Sequence, residues 1–247
     1  MLNGVLLAIT AHGLAGLSLV WDKILPTRKG MQNLASYVFW LGAISIFGLL
    51  LIPFGFKMPA WKIAGIAFAA GFCDLLASWF YYAALKAGEA SEEVAALGGF
   101  TPVATVALSI PLLGVNLDGQ VLGFAVMTLG GFVMFFAEHM PLRRMLPMVA
   151  PAAVFFGLTN VLQKIAFNDA KFVSGYVFFT LGTFIGAMAL LLRPKWRHAI
   201  FKNSEEAPPR SKAGYMVNRF LAGVGSFLVV FAISKASPSV VEAISGV

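Results

Sequence analysis

Long apolar runs constrain this chain more than any other feature. Eight of them have about the length that lets a helix cross a bilayer, where lipid cannot satisfy an open backbone. They are Leu2–Ile24, Leu34–Phe54, Trp61–Ala87, Glu92–Leu113, Leu117–Ala137, Leu146–Phe167, Val173–Leu192 and Tyr215–Ser234. A ninth begins near Val240, and the chain stops at Val247. The first run is too long for the core of a signal peptide and is expected to remain as a helix. Hydrophobic residues make up 59% of the 247 and charged residues 12%. A soluble domain has roughly 45–50% and 25%, so a soluble fold of this size could not bury the excess. The expected fold class is an all-α polytopic membrane protein. Its single cysteine, Cys73, excludes an internal disulfide.

The gaps are short except for Arg193–Lys212, which holds Pro208-Pro209 and Asn203-Ser204-Glu205-Glu206 and is expected as a solvated loop. The net charge is +7. Its 18 basic residues are scattered through the gaps, so loops facing anionic lipid and the cytoplasm explain them better than nucleic-acid binding. Thirteen fall after the first, third, fifth and seventh runs or at their edges, and five on the other side. Basic residues in short loops stay cytoplasmic, so this count places the N-terminus outside.

An internal repeat emerges from three matches in the same order. Gly16-Leu17-Ser18-Leu19-Val20-Trp21-Asp22-Lys23-Ile24 and Gly157-Leu158-Thr159-Asn160-Val161-Leu162-Gln163-Lys164-Ile165 lie 141 residues apart. Tyr37–Phe39 and Tyr176–Phe178 share Tyr-Val-Phe at an offset of 139. Tyr82-Ala83-Ala84-Leu85-Lys86-Ala87 and Phe231-Ala232-Ile233-Ser234-Lys235-Ala236 are similar at 149. A repeat of five helices is odd-numbered, so its second copy enters the membrane from the opposite side, as in many secondary transporters. The expected units are 1–141, and 142–247 as an incomplete copy lacking most of its fourth helix and all of its fifth. About eight to nine of ten ancestral helices would then be present.

The stretch Tyr82-Ala83-Ala84-Leu85-Lys86-Ala87-Gly88-Glu89-Ala90-Ser91, followed by Val94-Ala95-Ala96-Leu97 and Phe100-Thr101-Pro102-Val103, resembles the drug/metabolite transporter superfamily in its ten-helix, EamA-type form. Ser234-Lys235-Ala236-Ser237-Pro238-Ser239-Val240-Val241-Glu242-Ala243 is similar in the second copy. The resemblance implies transport of small metabolites or amphipathic compounds. Relatives of this form usually have the N-terminus inside, against the charge count. Small four-helix relatives carry a proton-coupling Glu in their first helix; here His12 is the only titratable residue deep in that run. The alternative reading is a membrane scaffold or regulatory subunit derived from a transporter fragment.

A charged side chain at the bilayer centre costs about 2.5–3.5 kcal/mol even on a lenient scale, so deep polar residues face the bundle interior. Asp74 is mid-helix, and Ser78 and Tyr81 fall with it in an arc of about 60°. Thr101, Thr105 and Ser109 share a face with Gly98, beside Pro102, which frees a backbone carbonyl. Asn160, Gln163 and Lys164 share another face. The candidate substrate-binding residues are Asp74, Ser78, Tyr81, His12, Thr101, Thr105, Asn160 and Gln163; helix-to-helix hydrogen bonding is the plainer account of each. Arg219 is the basic residue of its run that could approach Asp74, through water. Gly182-x-x-x-Gly186 is expected as a close helix contact.

No H-E-x-x-H, G-x-S-x-G, Walker A loop or paired cysteine occurs, and His12, His139 and His198 lack metal-ligand spacing. No enzyme activity, cofactor or metal is expected. The expected partners are a small-molecule substrate and membrane lipid, not nucleic acid, with a homo-oligomer left open. The expected location is the cell membrane.

Overall fold

The computed structural model describes residues 2–24, 33–87, 90–114, 129, 142–206, 208–238, 240 and 241. Eight α-helices account for nearly all of them: α1 (Leu2–Ile24), α2 (Leu34–Ile44), α3 (Trp61–Ala87), α4 (Ala90–Leu113), α5 (Leu142–Asp169), α6 (Phe172–Ala189), α7 (Pro194–Glu206) and α8 (Pro209–Lys235). No strand occurs among the described residues. The Leu117–Ala137 run lies outside them apart from Leu129, as does the ninth run beyond Val241. Six spans among the described residues are long and apolar enough to cross a bilayer, and α1 adds a shorter apolar stretch, Leu6–Asp22. The protein is an all-α polytopic membrane protein.

Local sequence explains where several helices start and stop. Asn33 caps α2, its side chain accepting from the Ser36 amide at 3.2 Å. Pro208 is the extended residue before α8, and Pro209, which needs no amide partner, is its first helical residue. Gly114, at φ 64°, follows α4 in a left-handed conformation that side chains disfavour.

Two expectations need correction. The second run is not one α-helix: after Ile44 it tightens into a 3-10 helix over Ser45–Phe54, ended by Gly55 at φ 100°. Ser45 Oγ donates to the Gly42 carbonyl at 2.5 Å and to the Thr180 carbonyl of α6 at 3.0 Å. Pro53 also removes an amide from the α-helical ladder. The second correction is Arg193–Lys212, which is not a loop. It forms α7 and the first turn of α8. Trp196 and Ile200, one turn apart, give α7 an inward stripe. Ile200 is fully buried in the cluster that holds Tyr37, Tyr82 and Tyr215, and the Trp196 ring lies 5.0 Å from that of Trp79 on α3. Tertiary burial makes a short polar sequence helical here.

The main core pairs are α3 with α5 and α6, α4 with α5, and α1 with α8. Helices α3 and α6 meet backbone to backbone. A methyl group on Gly71 would collide with the Phe179 carbonyl, and one on Gly182 with the Phe68 carbonyl. Gly186 faces Leu75 and Phe72, so the expected Gly182-x-x-x-Gly186 contact is present.

Candidate functional site

One end of the bundle carries a buried polar cluster built from four helices. Asp22 lies near the end of α1 and is 4% exposed. Its Oδ1 accepts from Tyr37 Oη of α2 at 2.6 Å and from Asn218 Nδ2 of α8 at 2.7 Å. Its Oδ2 accepts from Tyr82 Oη of α3 at 3.0 Å. Arg219 of α8 forms an ion pair with the same carboxylate and donates to Tyr82 Oη at 2.9 Å. Tyr215 Oη donates to the Tyr37 carbonyl at 2.9 Å. The Arg219 guanidinium lies 5.4–5.8 Å from the ring centres of Tyr37, Tyr82 and Tyr215, within cation–π range. A buried ion pair persists when its remaining lone pairs and protons are satisfied, and the tyrosines and Asn218 supply most of that. Two atoms stay open: Arg219 Nε and Asn218 Oδ1 have no partner.

This geometry overturns the expected approach of Arg219 to Asp74. Arg219 is committed to Asp22. The sequence reading passed over Asp22 because it lies near a helix end, where a charge can reach water. The readable signal was its position in the sequence match, where the offset of 141 sets it against Gln163, already a candidate.

The other end is aromatic. Phe172 and Tyr176 open α6, and Phe227 and Phe231 lie near the end of α8. Phe172 meets Phe231 edge-on at 4.9 Å and Phe227 at 5.4 Å, and Tyr176 meets Phe227 at 5.2 Å. Ala70, Phe179 and Val230 are buried beneath these rings.

Asp74 lies between the two ends. Its side chain is half-buried. It lies within electrostatic reach of Tyr176. Ser78 is buried one turn on, and the Tyr81 ring lies 6.4 Å from Phe156 of α5.

Helix α5 ties this stripe to α4. A methyl group on Gly157 would sit 2.9 Å from the Thr105 amide, so α4 and α5 touch at the backbone. Thr101 and Thr105 are buried, and Ser109 Oγ donates to the Thr105 carbonyl at 2.7 Å. On α5, Thr159 donates to the Ala70 carbonyl of α3 at 3.3 Å and Lys164 to the Ile233 carbonyl of α8 at 3.2 Å. Asn160 and Gln163 are buried on the same part of α5. Gln163 Oε1 and Thr105 Oγ1 have no partner. His12 is engaged elsewhere: its Nε2 donates to the Val241 carbonyl at 3.1 Å.

The sequence pattern of the EamA-like transporter family matches residues 2–137. The chain belongs to the EamA-like transporter family. No curated protein matches it. Family membership makes membrane transport its class of function. Among the described residues no group of three His, Cys, Asp or Glu side chains could hold a metal ion. In this EamA-like chain the densest buried polar grouping among the described residues is the Asp22–Arg219 cluster.

Proposed function

We propose that the protein is a secondary transporter in the cell membrane that moves small metabolites or amphipathic compounds by alternating access, with its two parts, 1–141 and 142–247, acting as inverted repeats. The observation that carries this reading is the placing of Asp74. A half-buried carboxylate at mid-helix, between a clamped end and an aromatic end, suits a site reached from one side at a time. In this mechanism Asp74 binds the substrate or carries the coupling proton. Ser78, Tyr81, Thr101, Thr105, Asn160 and Gln163 line the path, and His12 orders the segment after α8 beside it. The Asp22–Arg219 pair is the gate at its end, joining the first helix of one repeat to the third helix of the other. Opening that end means parting the two charges, and water or substrate must then satisfy them. The basic residues gathered at this end support its assignment to the cytoplasmic side.

The test uses accessibility. In a Cys73→Ala background, Ser78→Cys should react slowly with a thiol reagent added from the Asp22 side. Adding Asp22→Asn with Arg219→Gln, which removes both charges together, should raise that rate by an order of magnitude or so, as expected where ~1.4 kcal/mol or more had favoured the closed state. An unchanged rate rules out the gate. Asp74→Asn should abolish concentrative transport across a panel of cationic, anionic and neutral compounds while leaving expression intact. Normal transport by Asp74→Asn would move the site to the Thr101–Ser109 face.

A further inference from the structure

Helix α7 is held at a fixed depth. It joins the end of α6 to the start of α8, both of which span the membrane, so it lies at the boundary between lipid and water. One side of it faces the bundle, through Trp196 on Trp79 and through the fully buried Ile200. At about 100° per residue, Pro194, His198, Phe201 and Lys202 fall on the opposite side, and all four are exposed. Lys195 and Arg197 flank them and are exposed too. Arg193, also exposed, lies 4.5 Å from the Trp196 ring. Arg210 and Lys212 extend the basic surface onto α8. Six Lys and Arg side chains thus occupy this segment, against two acids, Glu205 and Glu206.

The same surface is apolar in part. Phe201 is 50% exposed and Leu192 82%. In water such groups gain nothing. At the membrane boundary the apolar groups enter the acyl region, while the long basic side chains reach the phosphates.

We infer that α7 and the first turn of α8 form a docking surface for anionic phospholipid headgroups. A free phosphate offers the same charge, but it would leave Phe201 and Leu192 unexplained. The inference rests on this segment and does not depend on the transport reading.

The test uses the full chain in vesicles of phosphatidylcholine with a minority of phosphatidylglycerol, extracted mildly and weighed with its retained lipids. The wild type should retain phosphatidylglycerol over its bulk share by at least about fivefold, the contribution of a single basic residue near an anionic surface. Lys195→Gln with Arg197→Gln, and separately Arg210→Gln with Lys212→Gln, should each cut the enrichment several-fold and leave the melting temperature in neutral lipid unchanged. Lys57→Gln with Lys62→Gln, at the other end of the bundle, should not change it. Raising the salt should weaken enrichment in the wild type. The inference is overturned by absence of enrichment in the wild type, by equal enrichment in all variants, or by displacement with inorganic phosphate at constant ionic strength.

Discussion

At one end of the bundle a carboxylate and a guanidinium are buried among three tyrosines and an asparagine. At the other end, about 18 Å further along α8 by the rise per residue, Phe172, Tyr176, Phe227 and Phe231 pack ring on ring. The same helix closes both ends by different physics. The charged end depends on geometry: its partners must stay within hydrogen-bonding distance, and losing one strands another in a dry interior. The aromatic end depends mainly on area, and its contacts weaken gradually as rings slide. A two-position switch is better served by the first kind of contact, which is why the charged end is the one proposed as the gate.

Breaking one partner of the pair should have the largest effect. Asp22→Asn or Arg219→Gln alone should destabilise the detergent-solubilised protein by about 3–5 kcal/mol, because each leaves an uncompensated buried charge. The double substitution should recover a large part of that loss. A thermal-unfolding double-mutant cycle reads the coupling, and additive losses would show that the charges do not support each other.

The aromatic end should respond less and more additively. Phe172→Ala should cost about 2–3 kcal/mol, below the range for a fully buried ring because Phe172 is half-buried. Its coupling to Phe227→Ala should stay within about 0.5–1.5 kcal/mol. A larger coupling would mean that the two ends are not physically distinct.

Smaller changes sharpen the contrast. Tyr37→Phe removes one donor from the Asp22 carboxylate but keeps the ring, and should cost about 1.5–3 kcal/mol. The smallest effect is expected at Gln163. Its side-chain carbonyl is buried without a partner, so Gln163→Leu should be neutral or stabilising by up to about 1 kcal/mol in the same melting assay. A marked loss there would mean that Gln163 has a partner in the membrane, water or substrate.

The expected repeat sets Asp22 against Gln163, Tyr37 against Tyr176 and Tyr82 against Phe231. Asp74 was legible in the sequence, since a carboxylate in the middle of a long apolar run cannot be placed at random. Which positions of such an alignment hold charge is written in the sequence; which charges meet is not.

Apolar run length by itself determined that this protein is a bundle of membrane-spanning helices, because no other backbone arrangement built from such runs satisfies its hydrogen bonds in lipid. The composition also determined that deep polar residues such as Asp74 and Thr105 turn inward. Only the tertiary structure decided that Arg219 pairs with Asp22, some 197 residues away in the chain, because that choice depends on how α1 and α8 rotate against each other. It also decided that Pro194–Glu206 is a helix. The residues of α7 have little reason to be helical alone, and Ile200 and Trp196 gain burial only once α2 and α3 are there to receive them.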